Sequence, residues 1–195
     1  MKRLNSIHEK EYNWLPIRVD FFPKEITAIG TIDTKHIDLE TQKDNAKKLG
    51  VGAKKEFHVT IIWSDTGRQI LKSIENLDKT EKDKIIEKIR HLCESTNWKV
   101  ELEDECYYIE KVYDENKVID KDKNMPEKRK SIIQMAKIQN LEVFYQQLNE
   151  LVNKLFKIPM PHITLYTNST REDKKTRGIG IYSKNLFEEL NPQRI

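Results

Sequence analysis

Residues 57–63 read Phe57-His58-Val59-Thr60-Ile61-Ile62-Trp63, and this stretch decides how the rest is read. Aromatic and β-branched residues crowd it, and Ser64-Asp65-Thr66-Gly67 follows as a stop, which predicts a strand. Side chains alternate faces along a strand, so His58 and Thr60 share one face. Val59, Ile61 and Trp63 fall on the other, where they can meet a core. A second run of the same kind, Pro161-His162-Ile163-Thr164-Leu165-Tyr166, places its histidine 104 positions after the first. The same alternation groups His162, Thr164 and Tyr166 against Ile163 and Leu165.

Working outward, Ile26 to Ile32 reads as a strand in which Gly30 tolerates a close neighbour. Residues 33–56 are polar and lysine-rich, with a short helix and then a loop expected. Ile70, Leu71, Ile74 and Leu77 fit one helical face; Ile85, Ile86, Ile89 and Leu92 fit another. Two strands follow, Trp98–Glu103 and Cys106–Tyr113, parted by the acidic turn Glu103-Asp104-Glu105. Residues 114–130 carry 11 charges and read as an exposed hairpin tip or loop. Lys130 to Ile138 has a strand-like centre. Asn140 is placed to cap a helix bearing Phe144, Leu148 and Leu155. After the second histidine strand come the charged stretch from Arg171 to Arg177 and a strand from Gly178 to Tyr182. The order predicts an α+β fold over residues 1–195, one domain of two similar lobes with an N-terminal arm over about residues 1–25.

The two strands matter for their chemistry. An imidazole near its unperturbed pKa gives or takes a proton at neutral pH, and two across one atom do both. A phosphodiester asks for that pair, a base for the attacking oxygen and an acid for the departing one. Thr60 and Thr164 can donate to non-bridging phosphate oxygens, and Tyr166 can stack on a base or donate to phosphate. One His-x-Thr in a strand is ordinarily a half-buried histidine beside a threonine set by propensity. Two copies in matched apolar runs are hard to read that way. His8, His36 and His91 lack the pattern.

His58-Val59-Thr60-Ile61 and His162-Ile163-Thr164-Leu165 resemble the paired signature tetrapeptides of the 2H phosphoesterases. The resemblance spans about Ile26 to Tyr182, carried sharply by eight positions. It implies a bilobal fold of two antiparallel sheets with outer helices around a central groove, and a metal-independent reaction without cofactor. By the same resemblance, His58 and His162 are the acid–base pair and Thr60 and Thr164 hold phosphate. The implied substrates are a nucleotide 2′,3′-cyclic phosphate, a 2′-5′ or 3′-5′ linkage, or a cyclic oligonucleotide, presented as nucleotide, cyclic nucleotide or short RNA. Which histidine starts as base is open. The alternative is a non-catalytic RNA- or nucleotide-binding module using the same groove.

Other features carry two readings each. Gly178 and Gly180 either leave room for substrate or relieve crowding at a sheet corner. Tyr12, Trp14 and Phe21-Phe22 either lid the groove or pack. Lys54-Lys55, Lys174-Lys175 and Arg177 either rim an anion site or are solvated surface, in a chain with 27 lysines and 8 arginines.

Composition removes several classes. The 35 basic and 32 acidic residues give a formal net charge of +3, too little for a non-specific grip on long nucleic acid. Two cysteines cannot form a disulfide framework or a four-cysteine zinc site. No His-Glu-x-x-His, phosphate-binding glycine loop or dinucleotide fingerprint occurs, so neither metal nor nucleotide cofactor is expected. No apolar run approaches the roughly 20 residues that span a bilayer. A cytoplasmic protein without membrane contact is expected, as a monomer because one self-contained groove needs no second subunit.

Overall fold

The computed structural model describes residues 13–113, 127–172 and 175–195. In chain order come β1 (Leu15–Pro16), β2 (Arg18–Phe22), β3 (Thr27–Ile32), α1 (Lys43–Leu49), β4 (Gly52–Ala53), β5 (Phe57–Ile62) and α2 (Ser64–Ser73). Then follow α3 (Lys79–Ser95), β6 (Lys99–Tyr113), β7 (Glu127–Ile138), α4 (Leu141–Val152), β8 (His162–Ser169), α5 (Lys184–Glu189) and β9 (Gln193–Arg194). These make a mixed α+β fold with two antiparallel sheets. The smaller runs β2-β3-β5; the larger runs β1-β6-β7-β8-β4, with β9 also on β6. The sheets meet where β5 packs beside β8, outside either hydrogen-bonded ladder. Among the described residues, no helix is long and apolar enough to cross a membrane.

One core serves both sheets. Val59 and Ile61 from β5, Ile163 and Leu165 from β8, and Ile70, Ile89, Phe144 and Leu148 from the helices are at most 1% exposed. The apolar faces of α2 and α3 are those the periodicity predicts, but α4 ends at Val152 and leaves Leu155 outside it and exposed. Asp78 caps α3 by accepting from the Glu81 N–H at 2.9 Å. Gly30 packs as expected: a Cβ there would lie 2.5 Å from Ile17 Cδ1 and 3.2 Å from Val59 Cγ2.

Four local expectations are corrected. Glu103-Asp104-Glu105 is no turn, because β6 runs through it as an irregularity between Leu102 and Cys106, bridged by Gln134 Nε2 donating to the Glu103 carbonyl at 2.8 Å. Residues 178–182 keep the predicted alternation, with Ile179 and Ile181 buried, but pair with no strand. Asn140 makes no side-chain cap; it sits at φ 67° and its Nδ2 donates to the Asn97 carbonyl. Residues 64–67 begin α2, with Gly67 against the backbone of Glu25 and Ile26, where a Cβ would have no room. Tyr12 and residues 114–126, most of the expected loop, lie outside the described residues, while Glu127–Lys130 belong to β7.

The two histidine strands share an irregularity. Thr60 pairs with Ile29 but Ile62 with Ala28, so Ile61 is an extra residue in β5. Thr164 pairs with Ile133 but Tyr166 with Ile132, so Leu165 is the extra residue in β8. A bulge removes its residue from the ladder and reverses the alternation beyond it. Both bulge carbonyls find partners elsewhere: Tyr145 Oη donates to Ile61 O at 2.9 Å, and the Lys54 N–H to Leu165 O at 2.9 Å. Because Tyr145 is 1% exposed, Tyr145→Phe leaves the Ile61 carbonyl buried without that partner. Equilibrium unfolding in urea should show a loss of about 1–3 kcal/mol.

Candidate functional site

A cleft of about 1200 Å³ opens where β5 and β8 lie together, and His58, Thr60, His162 and Thr164 all line it. The alternation puts them there. In β5, Phe57, Val59 and Ile61 are buried while His58 and Thr60 are partly exposed. In β8, Ile163 and Leu165 face the core while Thr164 is partly open to the cleft. His162 is buried at the cleft wall, with its Nδ1–H donating to the Met160 carbonyl at 2.9 Å. Because a carbonyl can only accept, that bond keeps a proton on Nδ1. Trp63 stacks against the ring, with centroids 6.0 Å apart and planes at 26°.

Both imidazoles are harder to protonate than a free histidine. Burial lowers the His58 pKa, the Lys54 charge lowers it further, and Glu56 opposes both. Burial also lowers that of His162, joined by the charge of His58 and opposed by backbone hydrogen bonds with Met160 and Ile179. The rings therefore sense each other, and protonating one makes the other less basic. A bound anion would act the opposite way on both.

Tyr166 is a correction. The Leu165 bulge reverses the alternation, so Tyr166 turns away from His162 and Thr164 and does not line the cleft. Its ring is buried and its hydroxyl donates to the Leu39 carbonyl at 2.7 Å. The Ile61 bulge has the converse effect on Trp63, which lines the cleft rather than joining Val59 in the core. Gly178 and Gly180 also line it. A Cβ on Gly178 would sit 2.7 Å from Thr164 Oγ1, and one on Gly180 2.9 Å from Trp63 Cζ3. Both glycines are thus needed for close approach to site side chains. Of the basic positions singled out, Lys54, Arg171 and Arg177 reach the cleft; Lys55 and Lys175 border a neighbouring one, and Lys174 lies outside the described residues.

Sequence reasoning missed the group at one end: Tyr113, Glu127 and Arg129. Glu127 and Arg129 are buried and joined by two parallel hydrogen bonds, Nε to Oε1 and Nη2 to Oε2, the latter 2.9 Å. Arg129 Nη1 also donates to the Gly178 carbonyl at 3.2 Å, and its guanidinium lies 4.4 Å from the centre of the Tyr113 ring. Ser169 Oγ donates to Glu127 Oε1 at 2.8 Å. Burial pushes the Glu127 carboxyl up, but bonds from Arg129 and Ser169 and the charges of Arg129 and Arg171 hold it below its ordinary value. The available signal was the same-face spacing of Glu127, Arg129 and Ser131, which a run of charges disguised as solvated chain.

Six basic side chains and three acidic ones line the cleft, an imbalance that favours an anionic occupant. Among the described residues, no group of three or more histidines, cysteines, aspartates or glutamates is placed to hold a metal ion. Comparison with protein-family models, curated proteins and solved structures gives no match to this chain. Removing one member of the buried pair leaves the other charge stranded. Arg129→Ala should therefore cost about 3–5 kcal/mol in urea unfolding, while the double change Glu127→Leu/Arg129→Met recovers much of that loss.

Proposed function

We propose that this protein is a 2H-type phosphodiesterase that cleaves a ribonucleotide phosphodiester by acid–base chemistry, with a 2′,3′-cyclic phosphate as the simplest substrate. The observation that carries the reading is that two His-x-Thr pairs, 104 positions apart in the chain, line one cationic cleft. In the reaction one imidazole takes a proton from water as the water oxygen bonds to phosphorus. The other gives its proton to the ribose oxygen as the phosphorus–oxygen bond breaks. Thr60 and Thr164 donate to the non-bridging oxygens, whose charge changes at five-coordinate phosphorus. The 2′-5′ and 3′-5′ linkages and cyclic oligonucleotides fit the same chemistry with a ribose hydroxyl or water as attacking group. The bilobal arrangement implied by the motif resemblance is supported by the matching positions of the two bulges, each following its threonine by one residue.

A nucleotide-binding module without turnover would use the same cleft but has no need for two proton carriers. Single changes separate the two readings. His58→Ala and His162→Ala should each lower turnover of adenosine 2′,3′-cyclic phosphate by about 10²-fold or more while nucleotide affinity changes little. Wild-type protein that binds nucleotides and cleaves none of the candidate linkages would establish the binding module instead.

The lowered proton affinities set the pH profile. The base must be neutral and the acid protonated, and both groups titrate below the ordinary 6.5 in the free protein. The profile of kcat/KM should then peak on the acid side of pH 6.5, since it reports the free enzyme. A maximum above pH 8 would contradict the assignment of this pair.

A further inference from the structure

Beyond the scissile phosphate, we propose that the Arg177 corner of the cleft receives a second phosphate of the substrate, so that the preferred ligand is a nucleotide bearing two phosphate groups. The inference rests on the phosphodiesterase reading for the position of the first phosphate, at the two threonines.

Arg177 stands immediately before Gly178, whose backbone is packed against Thr164. Consecutive Cα atoms are about 3.8 Å apart, so Arg177 is one residue from the backbone that packs on the phosphate-holding threonine, and its exposed side chain lines the same cleft. The backbone beneath it is fixed on two sides. Thr167 Oγ1 lies 3.1 Å from the Arg177 carbonyl and 3.1 Å from that of Lys130, which share its one proton, and Arg129 Nη1 donates to the Gly178 carbonyl at 3.2 Å. Thr167 is buried, and its place on this side of β8 follows from the Leu165 bulge. Lys54, whose N–H is bonded to Leu165 of β8, donates from Nζ to the Thr176 carbonyl at 3.1 Å and holds the preceding residue. Arg177 is thus an exposed guanidinium on an anchored stretch of chain.

The surrounding charge is uneven. Arg129 is matched by Glu127, whereas no ion pair among the described residues involves the Arg177 guanidinium. It shares the cleft lining with Arg129 and the half-buried Tyr113, and its charge opposes the rise that burial gives the Tyr113 hydroxyl. One phosphate can occupy the histidine–threonine site, and an anchored arginine beyond it offers a planar fork suited to another. A cleft of about 1200 Å³ exceeds the size of ordinary small-molecule pockets and leaves space for both.

The test compares adenosine 2′,3′-cyclic phosphate with its 5′-phosphorylated counterpart, and reads binding apart from turnover. Calorimetry on the full-length double variant His58→Ala/His162→Ala should show about tenfold tighter binding of the 5′-phosphorylated nucleotide. Adding Arg177→Gln should bring the affinity ratio toward one, whereas Arg177→Lys, which keeps the charge, should retain part of the preference. Equal affinities before the Arg177 change, or no binding of either nucleotide, overturn the second-phosphate site. Equal weakening of both nucleotides by Arg177→Gln overturns it too, since Arg177 would then serve the scissile phosphate. Wild-type turnover is measured in parallel. If it is absent while the tenfold preference persists, the second-phosphate site stands and the phosphodiesterase reading falls.

Discussion

One extra residue in each of two strands, Ile61 in β5 and Leu165 in β8, governs what faces the cleft and what faces the core. Before each bulge, alternation sends the histidine and threonine outward and their apolar neighbours inward. Beyond it the phase reverses, so Trp63 comes to the cleft and Thr167 turns toward the Arg177 backbone, while Ile62 and Tyr166 are buried in the core. A bulge withdraws a backbone carbonyl from the ladder, and such a group cannot stay buried without a partner. Here the Tyr145 hydroxyl serves Ile61 and the Lys54 N–H serves Leu165. Each irregularity at the site is thus tied to a distant element, α4 in one case and the chain after β4 in the other.

Electrostatics at the end of the cleft follow a similar logic. A buried ion pair gains little net stability over an apolar pair, because desolvation offsets much of the attraction. The Glu127–Arg129 pair has a second consequence, since the same guanidinium holds the Gly178 carbonyl beside Thr164. Position, more than stability, is what the pair contributes. The imidazoles lie in a different environment. Burial and nearby positive charge leave both less basic than free histidine, a state that an anion in the cleft would reverse. Protonation there is coupled to occupancy.

The glycines join the two descriptions. Gly178 and Gly180 alternate with Ile179 and Ile181, which pack into the smaller apolar cluster with Ile109, Ile133 and Phe187. That packing fixes the segment without a strand partner. Missing side chains then allow the backbone to lie against Thr164 and Trp63, so sheet crowding and site construction are one requirement here.

Hydrophobic period alone determined the strands around His58 and His162, the helical faces of α2 and α3, and the grouping of each histidine with the threonine two residues on, because alternation within an unbroken run is a local property. Local sequence carries no mark of a bulge, which arises from how a strand pairs with its neighbour. Tyr166 and Trp63 were therefore each read onto the wrong face. Glu127 and Arg129 look like solvated charges in the chain, and only the folding of β7 beside β8 buries them together. That the two imidazoles share one cleft was likewise decided by tertiary structure, since no local rule relates residues 104 positions apart until two sheets pack on a common core.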